Sequence, residues 1–84
     1  MTVTLRLFAA AREAAGRGHD EYEPDRVPTV GALLHAATAL YGARFGEVLV
    51  CSRVWVNGDE PAEGPATVLA DGDEVAVLPP VSGG

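Results

Sequence analysis

The sequence predicts an α+β domain: a mixed β-sheet packed on one main helix, with a flexible C-terminal tail ending Gly83-Gly84. Three observations predict it. Apolar and polar residues alternate from Thr2 to Phe8, the period-2 signature of a half-buried strand. Val30, Leu33, Leu34, Ala37, Leu40 and Tyr41 recur at helical spacing and make one apolar face. Val75 to Leu78 is a short apolar run entered from Asp71-Gly72-Asp73, the pattern of a core strand that follows a turn.

Length and composition set bounds. The 84 residues make a single domain over 1–84, with a tail from 79 to 84. Its expected radius of gyration is about 12 Å. A chain of this size buries a little over ~60% of its unfolded surface, so its stability margin is thin. Cys51 stands alone, so no internal disulfide and no Cys-based metal site is expected. No basic-then-apolar leader opens the chain and no run approaches membrane-spanning length. A cytoplasmic protein with no membrane partner is the expectation.

Charge narrows the partners. There are 12 Asp plus Glu against 6 Lys plus Arg, all six of them Arg. Nucleic-acid binding needs a basic face to release counterions, so it is set aside. Asp59, Glu60, Glu63, Asp71, Asp73 and Glu74 fall between Asn57 and Glu74 with no base among them. They read either as a solvated loop surface or as a patch that steers the domain onto a basic partner. Without lysine, the chain offers another copy of itself no ε-amino acceptor.

In chain order, Val3, Leu5 and Leu7 face inward on the first strand and Phe8 ends it. Ala9 to Ala15 is alanine-rich and helical, with Gly16 just past its end. At two turns it must lean on the sheet. His19 to Glu23 reads as a second strand, a polar edge whose charge discourages aggregation. Thr29 is the N-cap of the main helix and Gly42 its C-cap. Burial of that helix, at about 25 cal/mol per Å², makes it the largest piece of the core. His35 lies off the stripe and reads as a surface residue.

Ala43 to Val50 reads equally as a short helix or as a loop. Cys51 is expected to pack as a small apolar side chain. Arg53 to Val56 forms a strand that runs into the turn dipeptide Asn57-Gly58. A short return strand follows around Glu60 to Ala62, and Pro61, Gly64 and Pro65 keep it short. Thr67-Val68-Leu69 touches the core. No repeat, phosphate-binding loop, metal cluster or Ser/His/Asp set is present in the sequence.

The tail carries the chemistry. Pro79 and Pro80 donate no backbone N–H, so the sheet stops there. Ser82-Gly83-Gly84 has too little side chain to be held down. Such an end can be no more than a frayed terminus. It can also thread a narrow channel, because two residues without Cβ lie flat where a side chain would clash. The reactive group is then the α-carboxylate of Gly84.

The order strand, short helix, strand, long helix, strand, turn, strand suggests the β-grasp (ubiquitin-like) fold, with the last strand parallel to the first in the sheet centre. Here the chain resembles the small subunit of molybdopterin synthase (the MoaD type), one of the MoaD/ThiS ubiquitin-like sulfur carriers. Leu7-Phe8-Ala9 with Arg12-Glu13 and Gly16 matches that family's opening. Pro28-Thr29-Val30 with Leu33, then Val56-Asn57, then Asp71-Gly72-Asp73-Glu74-Val75 match further signatures. Most specific is Leu78-Pro79-Pro80-Val81-Ser82-Gly83-Gly84. Thiamine-pathway carriers share the Gly-Gly end but usually lack the proline pair. Leu78 departs from the family, which more often has an aromatic residue there.

The resemblance implies a mechanism. An E1-like adenylating enzyme uses ATP to activate the Gly84 carboxylate, and the chain itself binds no cofactor and no metal. A sulfurtransferase supplies sulfur, leaving a thiocarboxylate on Gly84. Leu78, Pro79, Pro80 and Val81 dock on the partner, while Ser82, Gly83 and Gly84 lie in its channel. That partner is the large (MoaE-type) subunit of molybdopterin synthase, in a heterotetramer, where sulfur passes to a pterin precursor. Two other readings stand beside it. One is a sulfur carrier for thiamine, cysteine or siderophore synthesis. The other is a ubiquitin-like modifier whose Gly84 forms amides on other proteins.

Overall fold

The computed structural model describes residues 1–80. Four strands form one sheet in the order β2-β1-β4-β3. They are β1 (Val3–Leu7), β2 (His19–Tyr22), β3 (Arg53–Val56) and β4 (Glu74–Leu78). The helices are α1 (Ala9–Ala15), α2 (Val30–Tyr41) and α3 (Ala43–Val50), with a single 3-10 turn at Gly64–Ala66. The arrangement is the α+β, β-grasp architecture that the order of elements predicts.

The sheet is built around a parallel pair. β1 and β4 run side by side with Leu5 opposite Val75 and Leu7 opposite Val77. Both outer strands are antiparallel to their neighbours, β2 on β1 and β3 on β4. Alternation does what it should. Val3, Leu5, Leu7, Val75 and Val77 are buried, while Arg6 points to solvent. Against this face pack Ala11 of α1, Val30, Leu33 and Ala37 of α2, and Phe45 of α3. The polar edge expected from His19 to Glu23 is β2, paired beside β1.

The main helix begins as expected: the Thr29 hydroxyl accepts from the Ala32 N–H at 3.1 Å. Its start is also tied to the loop before β4, where the Val30 N–H donates to the Thr67 carbonyl. Gly31 lies so close to the 3-10 turn that a Cβ there would stand 3.2 Å from the Pro65 carbonyl. Gly16 closes α1 with φ 78°, a conformation that favours glycine.

One open reading is resolved and three expectations are corrected. Ala43–Val50, readable as helix or loop, is a helix, and it contributes Phe45, the largest fully buried side chain. Leu40 is 64% exposed, whereas Tyr41, next to it on the expected stripe, packs against the core. The return strand at Glu60 to Ala62 shrinks to one bridge between Val56 and Asp59. Asn57 (φ 52°) and Gly58 (φ 86°) make the hairpin turn, but Pro61 has no N–H with which to continue a ladder. Cys51 is exposed, as described below.

One polar cluster locks the edge strand to the helices. The Tyr41 hydroxyl donates to an Asp20 carboxylate oxygen at 2.7 Å, and Arg17 reaches the same oxygen at 3.3 Å. Arg17 also lies over the Tyr41 ring, which meets Phe45 edge-on at 5.1 Å. Burial and the Asp20 carboxylate push the Tyr41 phenol far above its ordinary value of 10.0. Burial pushes the Tyr22 phenol up as well.

Two outcomes are expected. Phe45→Ala removes a fully buried ring and should cost about 3–5 kcal/mol in urea unfolding. For the tyrosines, the folded state keeps protons that the unfolded chain releases. Their contribution is therefore complete below the unfolded value near 10.0 and falls as pH rises beyond it. Urea midpoints measured up to about pH 11.5 should show that fall, with Tyr41→Phe flattening it.

Candidate functional site

The site is the end of the sheet where β4 finishes. Leu78 is the last paired residue, opposite Arg53 on β3, and is half-buried. Pro79 is buried and Pro80 exposed, so the chain leaves the body between them. Neither proline can donate to a ladder, which is why pairing stops at Leu78. Of the residues expected to form the site, Leu78, Pro79 and Pro80 come together here. Val81, Ser82, Gly83 and Gly84 lie outside the described residues.

The prolines sit over a shallow groove of about 340 Å³ lined by Ala10, Arg44, Glu47, Val48 and Cys51. Helices α1 and α3 meet there. Cys51 was expected to pack as a small apolar side chain and instead lines this groove, exposed. The reason is local. Cys51 caps α3, its N–H donating to Val48, and the chain then reverses into β3. Ser52, not Cys51, turns inward and donates its hydroxyl to the Val48 carbonyl at 2.7 Å.

Across the sheet from the groove, the solvent face near the exit carries Arg6, Ala76 and Trp55 in one cross-strand row. Phe8 follows β1 and is 43% exposed. Ala9, next in the chain, has φ 50°, a strained conformation for a residue with a Cβ. Arg12 lies flat against Gly18, where a Cβ would come within 3.4 Å of its Nε. No signal in the sequence places Arg44, Cys51 and Ala10 beside the prolines. Only the spacing of Phe45, Val48 and Leu49 could have suggested the helix that brings two of them there.

Half of the acidic run is solvated loop surface, with Asp59, Glu60 and Glu63 exposed, and the other half has a further task. Asp73 accepts from the Ala70 N–H at 2.8 Å and from the Asn57 side-chain amide at 3.0 Å. Asp71 accepts from the Thr2 N–H at 2.8 Å, and Glu74 pairs with Arg6 at 2.7 Å. These carboxylates clamp the turn that feeds the central strand, at the end opposite the prolines. Among the described residues, no group of three His, Cys, Asp or Glu side chains is placed to hold a metal. Among them, no helix is long and apolar enough to cross a membrane.

Comparison with known proteins agrees with this geometry. The ThiS family model matches residues 5–84. Small archaeal modifier protein 3 of Haloferax volcanii is 39% identical over 92 residues, covering 100% of both chains. The crystal structure of SAMP1 from Haloferax volcanii superposes with a TM-score of 0.83 at 32% identity, again over 100% of both chains. A chain from the protein–protein complex of subunits 1 and 2 of the molybdopterin-converting factor of Helicobacter pylori 26695 gives a TM-score of 0.64 at 25% identity. The match covers 100% of each chain. The strand that ends in Pro79-Pro80, the sheet behind it and these likenesses lead to one conclusion: the chain belongs to the ThiS family, among the ubiquitin-like sulfur carriers and modifiers.

Proposed function

We propose that this chain is the sulfur-carrying small subunit of molybdopterin synthesis and that the Gly84 carboxyl is its reactive group. One observation carries the reading. The central strand ends in a buried proline and an exposed one, and residues 81–84 follow them in the sequence. Fully extended, four residues span at most roughly 14 Å at 3.3–3.6 Å each. That is enough to carry a carboxylate into a partner's channel while Leu78, Pro79 and Pro80 rest on its rim. The likeness to the Helicobacter pylori molybdopterin-converting complex supports the same reading.

The chemistry follows from a carboxylate being a poor electrophile. In the active site of an E1-like adenylating enzyme, a Gly84 carboxylate oxygen attacks the α-phosphorus of ATP. Pyrophosphate leaves, and an acyl-adenylate forms. A persulfide sulfur delivered by a sulfurtransferase then attacks the acyl carbon and AMP departs. A thiol cleaves the remaining S–S bond, becoming a disulfide with the donor sulfur, and leaves the thiocarboxylate. Its sulfur is a strong nucleophile, suited to attack on a pterin precursor in the large subunit, within a heterotetramer. ATP is consumed by the activating enzyme, which places the cycle in the cytoplasm.

A second reading shares every step up to the acyl-adenylate. There a lysine amine of another protein displaces AMP and an amide forms. It is supported by the 39% identity to a protein named as a modifier. Carriers for thiamine, cysteine or siderophore synthesis would load sulfur in the same way and differ only in the acceptor.

The test is the mass of the fragment Asp73 to Gly84, cut from protein purified from its own host. It contains no Met, Cys or Trp, so oxidation cannot imitate sulfur. The expected result is a sulfur-for-oxygen increment at Gly84 that is lost when the gene for the adenylating enzyme is deleted. Joining of the same fragment to a foreign lysine would favour the modifier. Removing Gly84 should leave urea stability unchanged within about 0.5 kcal/mol and abolish sulfur loading. Full activity in that truncation would overturn both readings.

A further inference from the structure

Asn57 carries the only side-chain amide of the chain, which has no second Asn and no Gln. It lies at the end of β3, next to the start of β4, and is followed by Gly58. Both residues are exposed. Val56 and Asp59 exchange two backbone bonds, at 2.7 and 3.0 Å, so Asn57 and Gly58 are the two turn residues between them. Both have positive φ, 52° and 86°, as a tight two-residue turn requires. Among the described residues, the Gly58 N–H finds no backbone acceptor.

The Asn57 side chain, by contrast, is held at both ends. Its Nδ2 donates to Asp73 Oδ1 at 3.0 Å, and its Oδ1 accepts from the Glu74 N–H at 2.9 Å. These two bonds keep the amide against the start of β4. Without them it is one covalent step from the Gly58 nitrogen. That nitrogen can attack Asn57 Cγ and close a five-membered imide, and glycine has no Cβ to obstruct the approach. The new N–C bond replaces the bond from Cγ to Nδ2, and ammonia leaves with the proton of the Gly58 N–H. Water then opens the ring at one of its two carbonyls. One opening leaves an aspartate. The other leaves its β-linked isomer, in which the main chain runs through the former side-chain carbon. Water is the only co-reactant.

We propose that Asn57 is a self-modification site guarded by the Asp73 carboxylate and the Glu74 N–H, and that it loses its amide to Gly58 when this clamp opens. The products cannot rebuild the clamp. An aspartate lacks the N–H that Asp73 accepts and sets one carboxylate against another, a repulsive pair. The β-linked isomer adds one carbon to the main chain of a turn that Val56 and Asp59 already close with two bonds. The damage falls on the corner where β4 enters the sheet beside β1, with Asp71 and Asp73 holding Thr2 and Ala70 there. Each opening of that corner thus carries a chance of a permanent change, and the change makes the next opening easier.

Ammonia released by the full-length chain, with the mass of its tryptic fragment 54–84, tests the site. Because Asn57 is the only side-chain amide, both readouts report it alone. Conversion should be fastest in urea, where no clamp exists, and slowest in the folded chain. Folded Asp73→Ala, which removes one of the two bonds, should convert about fivefold faster than the unaltered chain. Gly58→Ala, compared in urea so that strain in the turn plays no part, should slow the reaction. No conversion in urea would overturn the site, and equal rates in the folded and unfolded chains would overturn the guard. The consequence is tested separately. Asn57→Asp should lower the urea midpoint, and adding Asp73→Asn should recover part of the loss. An unchanged midpoint in Asn57→Asp would overturn the unclamping.

Discussion

The parallel pairing of β1 with β4 is the constraint from which the rest of this fold follows. Parallel strands cannot be joined by a hairpin, so the chain between Leu7 and Glu74 must cross from one side of the pair to the other, adding β2 and β3 at the sheet edges on the way. Helices α1, α2 and α3 lie along that path and contribute to the core on one face of the sheet. The pair has ladders on both sides, so its inward residues are apolar without exception: Val3, Leu5, Leu7, Val75 and Val77. A polar residue at any of these five would sit in a layer with no described partner to satisfy it.

The same pairing explains why the turn before β4 is so heavily bonded. Asp71 and Asp73 hold Thr2, Ala70 and Asn57, drawing three separate stretches of chain to one corner. These side chains are exposed, and each bond on its own is worth about 1 kcal/mol. Together they fix where β4 enters relative to β1, and so fix which residues face the core. Asn57 answers from the other side, its side-chain oxygen accepting from the Glu74 N–H at 2.9 Å. The register of the two central strands is therefore set at their starting end, leaving the finishing end free to carry other residues.

Most of the fold was legible because it is written in local periods. The alternation from Val3 to Leu7, the stripe from Val30 to Tyr41 and the Thr29 cap each depend on residues close in sequence, and each element formed. What escaped was decided by distant neighbours. Phe45 sits in a stretch too short and mixed for its period to stand out, yet it fills the centre of the core. Cys51 is apolar by nature and exposed by position, since the reversal after α3 aims Ser52 inward instead. Leu78, Pro79 and Pro80 could be read from the sequence as the base of a tail. Their neighbours Arg44 and Ala10 could not, because two helices far apart in the chain supply them. The acidic run was visible as composition, but its service in clamping a turn depends on partners as distant as Thr2.

Placing the central strand so near the end of the chain also acts on unfinished molecules. Contacts between β1 and β4 span almost the full sequence, giving the domain a high contact order and a folding step that waits for the last residues. A chain that stops before Leu78 lacks the strand that joins β1 to β3 and closes the sheet. Such a fragment has no stable surface with which to occupy a partner. Incomplete copies are thus removed from competition by the topology itself, and a folded body implies that synthesis has passed Leu78.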